Sequence, residues 1–204
     1  MQNDNESCEM VLPLFGNWKF YYGYFQSEQY FKEIADNIRD YFRIKSIYTK
    51  AFWQKYGYLF SQKVLAIHIR LGDYLTWGNE AMGGENMTLP DAYFQNALGM
   101  IPNIQDYTVL VITDDIENAS HKMQWLQGKK IISDTEIMDF QLLMHADKLI
   151  ISNSSFAWWA AYLNVKNAET FAPEYWLGFK VNTEIPNNVI PSRFKRVAVA
   201  TCYA

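Results

Sequence analysis

The stretch VLAIHIRLGDY, residues Val64 to Tyr74, decides the fold. It begins as a continuous apolar run, typical of a buried strand, and then places His68 and Arg70 two positions apart before a glycine and an aspartate. Because alternate residues of a strand share a face, His68 and Arg70 lie on the same face as Val64. Two polar side chains therefore stand together at the carboxyl end of a core strand.

After residue 64, short β-branched runs alternate with helix-like segments, which is the pattern of an α/β fold. The predicted strands are Val64–Arg70, Thr108–Thr113, Lys130–Ser133, Lys148–Ser152 and Glu169–Ala172. The predicted helices start near Pro90, Ile116, Ile137 and Ser155, and the caps are assigned to Asp114, Asp115 and Ser154. We therefore expect a Rossmann-like parallel sheet with helices on both faces.

The segments around these elements are less regular. Gln26–Phe42 carries apolar residues at helical spacing and predicts an amphipathic helix with Ser27 as its N-cap, whereas the aromatic-rich residues 15–25 show no clear period. Residues 72–89 predict a long loop of the kind that is usually functional or mobile, and the tail after residue 178 is predicted to be irregular. We expect a partial N-terminal helical and aromatic segment, residues 1–60, followed by a Rossmann-like domain, residues 61–204.

Composition bounds the class of protein. Half of the 204 residues are hydrophobic and 17% are aromatic, which predicts a folded chain with a substantial core. The net charge of -4 gives no general attraction to nucleic acid or anionic lipid, so a polyanion must be held by a local positive site. Cys8 and Cys202 form no close pair, the N-terminus is polar and acidic, and no run reaches the roughly 20 apolar residues of a membrane helix. We expect a cytoplasmic protein with free thiols.

A ligand phosphate is one explanation for the arginine. In a doubly wound sheet, ligands bind outside the carboxyl ends of the strands, near the point where strand order reverses. A buried arginine must be paired, and a bidentate bond to phosphate is among the strongest pairings. The alternative is an internal ion pair of Arg70 with Asp73 or Asp114. The sequence of the strand alone favours neither interpretation over the other.

The run KLIISNSSFAWWAAYLN, residues 148–164, favours the phosphate. Its strand passes through Asn153, Ser154 and Ser155 into a helix with almost no loop, which places free N–H groups at the carboxyl edge of the sheet. Simple N-capping by Ser154 is the alternative and, taken alone, the stronger one. Together with Arg70 at the same edge, the helix start indicates a site for an anion.

Two acidic positions have competing interpretations. Asp139, near a helix start, is either a capping residue or an acceptor for the adjacent N1 and N2 hydrogens of guanine, which would select guanine over adenine. The doublet Asp114 and Asp115 is either a cap or part of a Mg²⁺ or Mn²⁺ site. Because no third carboxylate ligand is evident nearby, capping is favoured and no metal is expected.

These residues resemble a known family. IHIRLGDY, residues 67–74, resembles the His-x-Arg-x-Gly-Asp motif of the α-1,2-fucosyltransferases, within the wider α-1,2, α-1,6 and protein O-fucosyltransferase superfamily. Similar blocks follow in the same order at residues 112–119, 139–164 and 172–178, and the segment 23–34 resembles one that precedes the motif. The resemblance spans residues 22–177.

The resemblance implies the C-terminal donor half of a GT-B glycosyltransferase that moves L-fucose from GDP-fucose to a hydroxyl of a glycan acceptor, without a metal or other cofactor. It implies that Arg70 binds the β-phosphate and acts in catalysis with Asp73, which orients Arg70 or serves as base. It further implies that His68 contacts the nucleoside, Asp139 holds guanine, and Ser154 with Ser155 lines the phosphate site; Asn153 and Asp114 are assigned to donor binding with them.

The chain departs from the family in two places. Nothing in it corresponds to the Gly-x-Gly-Asn turn that opens the family's acceptor-side domain, and Leu71 stands where a second arginine is common. We therefore expect that a second copy or a partner chain completes the acceptor cleft. Three alternatives remain: a non-catalytic nucleotide-sugar-binding module, a glycosyltransferase with another donor, and a purely structural domain in which Arg70 is internally paired.

Overall fold

The computed structural model describes residues 26–199. The strands in this range are β1 Lys63–Ile69, β2 Gly78–Asn79, β3 Gly84–Glu85, β4 Tyr107–Thr113, β5 Lys130–Ile132, β6 Lys148–Ile150, β7 Glu169–Pro173 and β8 Lys195–Val197. The α-helices are α1 Ala35–Tyr41, α2 Ser46–Tyr56, α3 Asp91–Gly99, α4 Ile116–Lys122, α5 Glu136–Met144 and α6 Ser155–Tyr162. Within this range no helix combines the length and the apolar character needed to cross a bilayer.

Six of the strands form one sheet in the order β5-β4-β1-β6-β7-β8. Every neighbouring pair in that sheet is parallel. Counted along the chain, this is the 3-2-1-4-5-6 order of the doubly wound Rossmann fold. The expected fold class is confirmed, and the order reverses between β1 and β6.

The two faces of the sheet carry separate apolar clusters. Val64 and Ala66 pack with α5 and α6 on one face, whereas Leu65 and Ile67 pack with α3 and α4 on the other. The alternation predicted for β1 is therefore present, with helices on both faces. It places His68 and Arg70 on the side of the sheet that α6 covers.

All five predicted strands are present, but strands β2, β3 and β8 and helix α2 were not predicted. Strand β8 lies in the tail that was expected to be irregular; two of its three side chains are exposed, so its sequence lacks an apolar pattern. It pairs with β7 at the edge of the sheet. Helix α2 was not predicted, and the long loop contains the β2–β3 hairpin.

The helix predicted over Gln26–Phe42 is only partly correct. The segment forms two 3₁₀ turns followed by α1, although Ser27 caps the first turn as expected. The interruption occurs at Phe31, whose backbone is non-helical with φ -135° and ψ 19°. Its ring packs against Trp159 and Tyr162 of α6, with centroids 5.4 and 5.2 Å away. Tertiary packing has therefore overridden the helical period.

Some expectations fall outside the described range. Cys8, Cys202 and the aromatic run at residues 15–25 lie outside residues 26–199, as does the start of the resemblance. The division at residue 60 stays a prediction. Within the described range, Phe31, Phe52 and Tyr56 share one apolar cluster with the sheet.

The packing of Phe31 predicts that the segment before β1 stabilises the sheet domain. Phe31→Ala should lower the free energy of unfolding by about 3 kcal/mol, because it empties a buried site against α6. Tyr41→Ala, at an exposed position of the same segment, is the control and should change stability by less than about 0.5 kcal/mol. Urea unfolding measures both, and equal effects would contradict this packing.

Candidate active site

The point of strand-order reversal brings together the ends of β1 and β6. His68, at the end of β1, is 4% exposed, and its Nδ1 lies 2.7 Å from the Oγ of Ser152, just after β6. Burial, aided by the charge of Arg70, lowers the pKa of His68 to about 3. The imidazole is therefore neutral near pH 7, and it joins the two strand ends that carry the predicted phosphate site.

A cavity of about 410 Å³ opens at this junction. Of the residues singled out in the sequence, it is lined by Arg70, Asp73, Asn153, Ser154 and Ser155. The structure thus brings these five positions together on one cavity. Residues that sequence reasoning missed also line the cavity: Gln26, Ser27, Tyr30, Tyr74, Trp77, Met82, Phe156, Trp176, Leu177, Pro186 and Asn187.

Arg70 is held by two carboxylates at the edge of the cavity. Its Nε and Nη2 lie 2.9 and 2.8 Å from Oδ1 of Asp73, and its Nη1 lies 3.2 Å from Oδ2 of Asp114. The internal ion pair left open by the sequence is therefore present, yet Arg70 also faces the same cavity as Ser154. Each Nη carries two N–H groups, so both can donate to a ligand while these contacts persist.

Asp114 supports Arg70 from behind the cavity. Its Oδ1 accepts a hydrogen bond from the Leu71 amide at 2.9 Å, while its Oδ2 contacts Arg70. A Cβ on Gly72 would lie only 2.4 Å from that Oδ2, so the glycine of the motif gives the carboxylate room. The cap predicted at Asp114 is wrong, because the carboxylate turns toward β1 instead. Asp114 does not line the cavity, and its assignment to donor binding stays a prediction.

Asp115 is the cap of α4. Its Oδ1 accepts from the Asn118 amide at 3.1 Å, and its Oδ2 accepts from the Asn118 side chain at 2.6 Å. The two neighbouring aspartates thus have different partners, which explains why the doublet could not be interpreted from sequence. Among the described residues, no group of three or more His, Cys, Asp or Glu side chains is arranged to hold a metal ion.

The start of α6 presents backbone donors to the cavity. Ser154 occupies the N-cap position, but its side chain makes no capping bond, contrary to the simple capping interpretation. The first amides of an α-helix have no acceptor within the helix, and the helix dipole makes this end positive. Arg70 and this helix start are therefore two positive features on one cavity.

The bend before α6 is fixed by Asn153. Its Nδ2 donates to the carbonyl of Met87 at 3.0 Å, and its own carbonyl accepts from the Tyr74 hydroxyl at 3.0 Å. Its Oδ1 is buried and has no hydrogen-bond partner within the described residues. Asn153 is thus a structural support of the bend as well as part of the cavity wall.

Asp139 lies apart from the cavity lining. It is 7% exposed, and its two carboxylate oxygens accept from the Asp134 amide at 3.2 and 3.1 Å. Burial, reinforced by the charges of Asp134 and Glu136, raises the pKa of Asp139 to about 6. Asp139 thus accepts from an amide that precedes α5, and the start of α5 has no side-chain capping bond. The guanine role of Asp139 and the nucleoside contact of His68 stay predictions.

An apolar hollow adjoins the cavity near Asp139. It is lined by residues of the α1–α2 connection and by Ile137, Phe140 and Phe156. Phe156 also lines the cavity, and its ring lies 5.4 Å from that of Phe140 and 5.8 Å from that of His68. A flat aromatic group in this hollow would therefore lie beside the anion site.

The fold and the cavity define an α/β domain whose switch point carries a cavity lined by Arg70 and the start of α6. Residues 7–187 match the family model described as Glycosyl transferase family 11. The chain belongs to this family of glycosyltransferases.

Individual relatives are more distant. An alpha-1,2-colitosyltransferase of Escherichia coli is 27% identical over 165 residues, 76% of this chain and 54% of the relative. The O-antigen biosynthesis glycosyltransferase WbnK of Escherichia coli is 27% identical over 117 residues, 54% of this chain and 38% of the relative. The chain thus spans about half the length, or less, of these curated relatives.

Solved structures that are similar to this chain include that of the alpha-1,6-fucosyltransferase NodZ soaked with GDP-fucose. It has 15% sequence identity and a TM-score of 0.41, covering 59% of this chain and 43% of that chain. A second structure, of the fucosyltransferase NodZ from Bradyrhizobium, has 13% sequence identity and a TM-score of 0.40, and the match covers 58% of this chain and 42% of that chain.

The burial of Asp139 predicts a pH dependence of stability. Because its pKa is higher in the folded chain than in the unfolded chain, the folded state binds more protons between about pH 4 and 6, and stability falls as pH rises. Relative to Asp139→Asn, the wild type should lose about 2 to 3 kcal/mol between about pH 4 and pH 7. Urea unfolding at both pH values measures this, and parallel pH profiles would contradict the burial of an ionisable carboxyl.

Proposed function

We propose that this chain binds GDP-fucose and transfers L-fucose to a hydroxyl of a glycan acceptor, the 2-hydroxyl of a galactoside being the preferred candidate. Membership of Glycosyl transferase family 11 supports a transferase. The observation that carries the proposal is the convergence of Arg70 and the α6 start on one cavity at the switch point. Such a pair of features suits a diphosphate better than a neutral ligand.

The proposed reaction requires stabilisation of a departing diphosphate. The bond between fucose C1 and the β-phosphate oxygen breaks while the acceptor oxygen bonds to C1 from the opposite face, and the proton of the acceptor hydroxyl passes to the departing diphosphate or to water. Negative charge then grows on the GDP oxygens, where Arg70 and the amides of Ser155 and its neighbours lie. Asp73 is assigned to catalysis as the group that orients Arg70, consistent with their contact of 2.8 Å.

The nucleoside is assigned to the neighbouring hollow. Guanine beside Phe140 and Phe156 would lie next to His68, whose ring is 5.8 Å from that of Phe156. Asp139 lines neither the hollow nor the cavity, so its proposed contact with the base requires its side chain to turn toward the hollow. For this role Oδ1 of Asp139 must exchange its bond from the Asp134 amide for one from guanine, while that amide keeps its bond of 3.1 Å to Oδ2. A carboxylate there can accept from N1–H and N2–H of guanine together, a pair of adjacent donors that adenine lacks.

A second donor is favoured by one observation. The relative that covers most of this chain is an alpha-1,2-colitosyltransferase, so the same cavity is a candidate site for a colitosyl donor. A colitosyl donor that carries the same nucleotide would use the same assignments to diphosphate and guanine. Only the part of the cavity that holds the sugar would distinguish them.

Calorimetry with GDP, UDP and GDP-fucose tests the donor site. Arg70→Lys keeps the charge but loses the forked donor geometry, so GDP affinity should fall at least about tenfold. Arg196→Lys is the matched control, because Arg196 also pairs with a carboxylate, Glu184, but lies outside the cavity. Unchanged GDP binding in Arg70→Lys, or UDP binding as tight as GDP, would contradict the assignment.

Turnover separates an enzyme from a binding module. The wild type, mixed with GDP-fucose and simple galactosides, should release GDP and form a fucosylated product, while Arg70→Ala should be slower by about a hundredfold or more. Because no metal is proposed to act, added EDTA should leave the rate unchanged. Tight donor binding without turnover would contradict the enzymatic proposal and support a nucleotide-sugar-binding module.

A further inference from the structure

The wall of the cavity beyond Asp73 is aromatic. The rings of Tyr74 and Trp77 lie 5.2 Å apart, centroid to centroid, and are inclined by only 31°. Trp77 is 42% exposed although it lines the cavity. None of the roles assigned above uses this indole, which presents an apolar face beside the polar groups of the cavity.

The aromatic wall is fixed relative to the anion site by three hydrogen bonds. The hydroxyl of Tyr74 donates to the carbonyl of Asn153 at 3.0 Å, and the Met87 amide donates to the carbonyl of Tyr74 at 2.8 Å. The side chain of Asn153 in turn donates to the carbonyl of Met87 at 3.0 Å. The segment that carries Trp77 is thus tied to the bend before α6 on both sides of the indole.

The hairpin that follows Trp77 is held closely. Gly78 has φ +145°, and a Cβ there would lie 2.3 Å from the carbonyl oxygen of Gly84, so only glycine allows the strands β2 and β3 to close. The hairpin is also anchored by Lys180, whose Nζ donates to the carbonyl of Glu85. Trp77 therefore sits on a built platform and not on a free loop tip.

The chemistry around the indole suits a sugar ring. A pyranose has faces of C–H groups and a rim of hydroxyls, so it needs an apolar surface with hydrogen-bond acceptors at its edge. Trp77 supplies the apolar surface. The carboxylate of Asp73, whose side chain is 61% exposed, supplies the hydrogen-bond acceptor for the sugar hydroxyls. Arg70 lies over the Tyr74 ring at 5.7 Å, so the platform adjoins the place where the diphosphate is expected to depart.

We propose that Trp77, backed by Tyr74, is the acceptor subsite, on which a pyranose ring of the glycan lies while its hydroxyl faces the donor sugar. This inference rests on the proposed function and names the part of the cavity that holds its second substrate. It requires that the indole contact sugar and that it contribute nothing to GDP binding.

Saturation-transfer NMR with three probes tests the proposal. Methyl β-D-galactopyranoside, methyl β-D-glucopyranoside and lactose are titrated into the wild type with and without saturating GDP. At least one should receive saturation on its ring C–H protons, and Trp77→Ala should weaken its binding about tenfold or more. Trp77→Phe, which keeps an aromatic face, should retain most of the affinity. Tyr58→Ala removes an aromatic residue that is 67% exposed and outside the cavity, and should have no effect.

Calorimetry with GDP on the same variants separates the two proposals. Unchanged GDP affinity in Trp77→Ala together with lost sugar binding supports the acceptor subsite. If Trp77→Ala weakens GDP in step with sugar, the indole belongs to the donor site and the inference is wrong. Absence of saturation transfer to every probe in the wild type would also overturn it. Failure of the wild type to bind GDP would instead contradict the proposed function.

Discussion

The site depends on the junction of β1 and β6. These strands are neighbours in the sheet because the strand order reverses between them, although 78 residues lie between the end of β1 at Ile69 and the start of β6 at Lys148. The hydrogen bond between His68 and Ser152 joins the two ends at 2.7 Å beneath the cavity. Arg70 follows one end and α6 starts from the other, so the topology itself brings the two positive features together.

The position of Arg70 between two carboxylates is compatible with an anion site. The guanidinium is about a third exposed and Asp73 is 61% exposed, and ion pairs of this kind contribute about 1 kcal/mol or less. A charge-assisted bond to phosphate in a partly enclosed cavity is stronger than that. The carboxylates therefore hold the guanidinium in place, and each Nη keeps a second N–H group that could donate to a ligand.

Local sequence patterns were sufficient for part of the fold. The five apolar strands and the helices between them follow from periodicity and caps, and the alternation along β1 correctly assigned Val64 and Ala66 to one face and Leu65 and Ile67 to the other. Strand β8 escaped prediction because a short edge strand has no apolar period. The break at Phe31 escaped it because the cause lies in α6, more than a hundred residues later.

Local sequence patterns likewise predicted only part of the cavity. The motif and the Asn-Ser-Ser bend were recognisable because their residues are adjacent in sequence. The separate partners of Asp114 and Asp115 and the tie between Tyr74 and Asn153 depend on which strands are neighbours, so no local pattern could supply them. One feature of the sequence could have indicated that Trp77 belongs to the site: it is a large aromatic residue in a glycine-rich loop directly after the motif.

The most direct measurement is a crystal structure of the chain with GDP. We expect the β-phosphate oxygens within hydrogen-bond distance of the Arg70 guanidinium and of the first amides of α6, with the Nη1 contact to Asp114 lengthened or kept. A diphosphate bound elsewhere, with Arg70 still closed onto Asp73 and Asp114 and no ligand at the start of α6, would contradict a donor site at this junction.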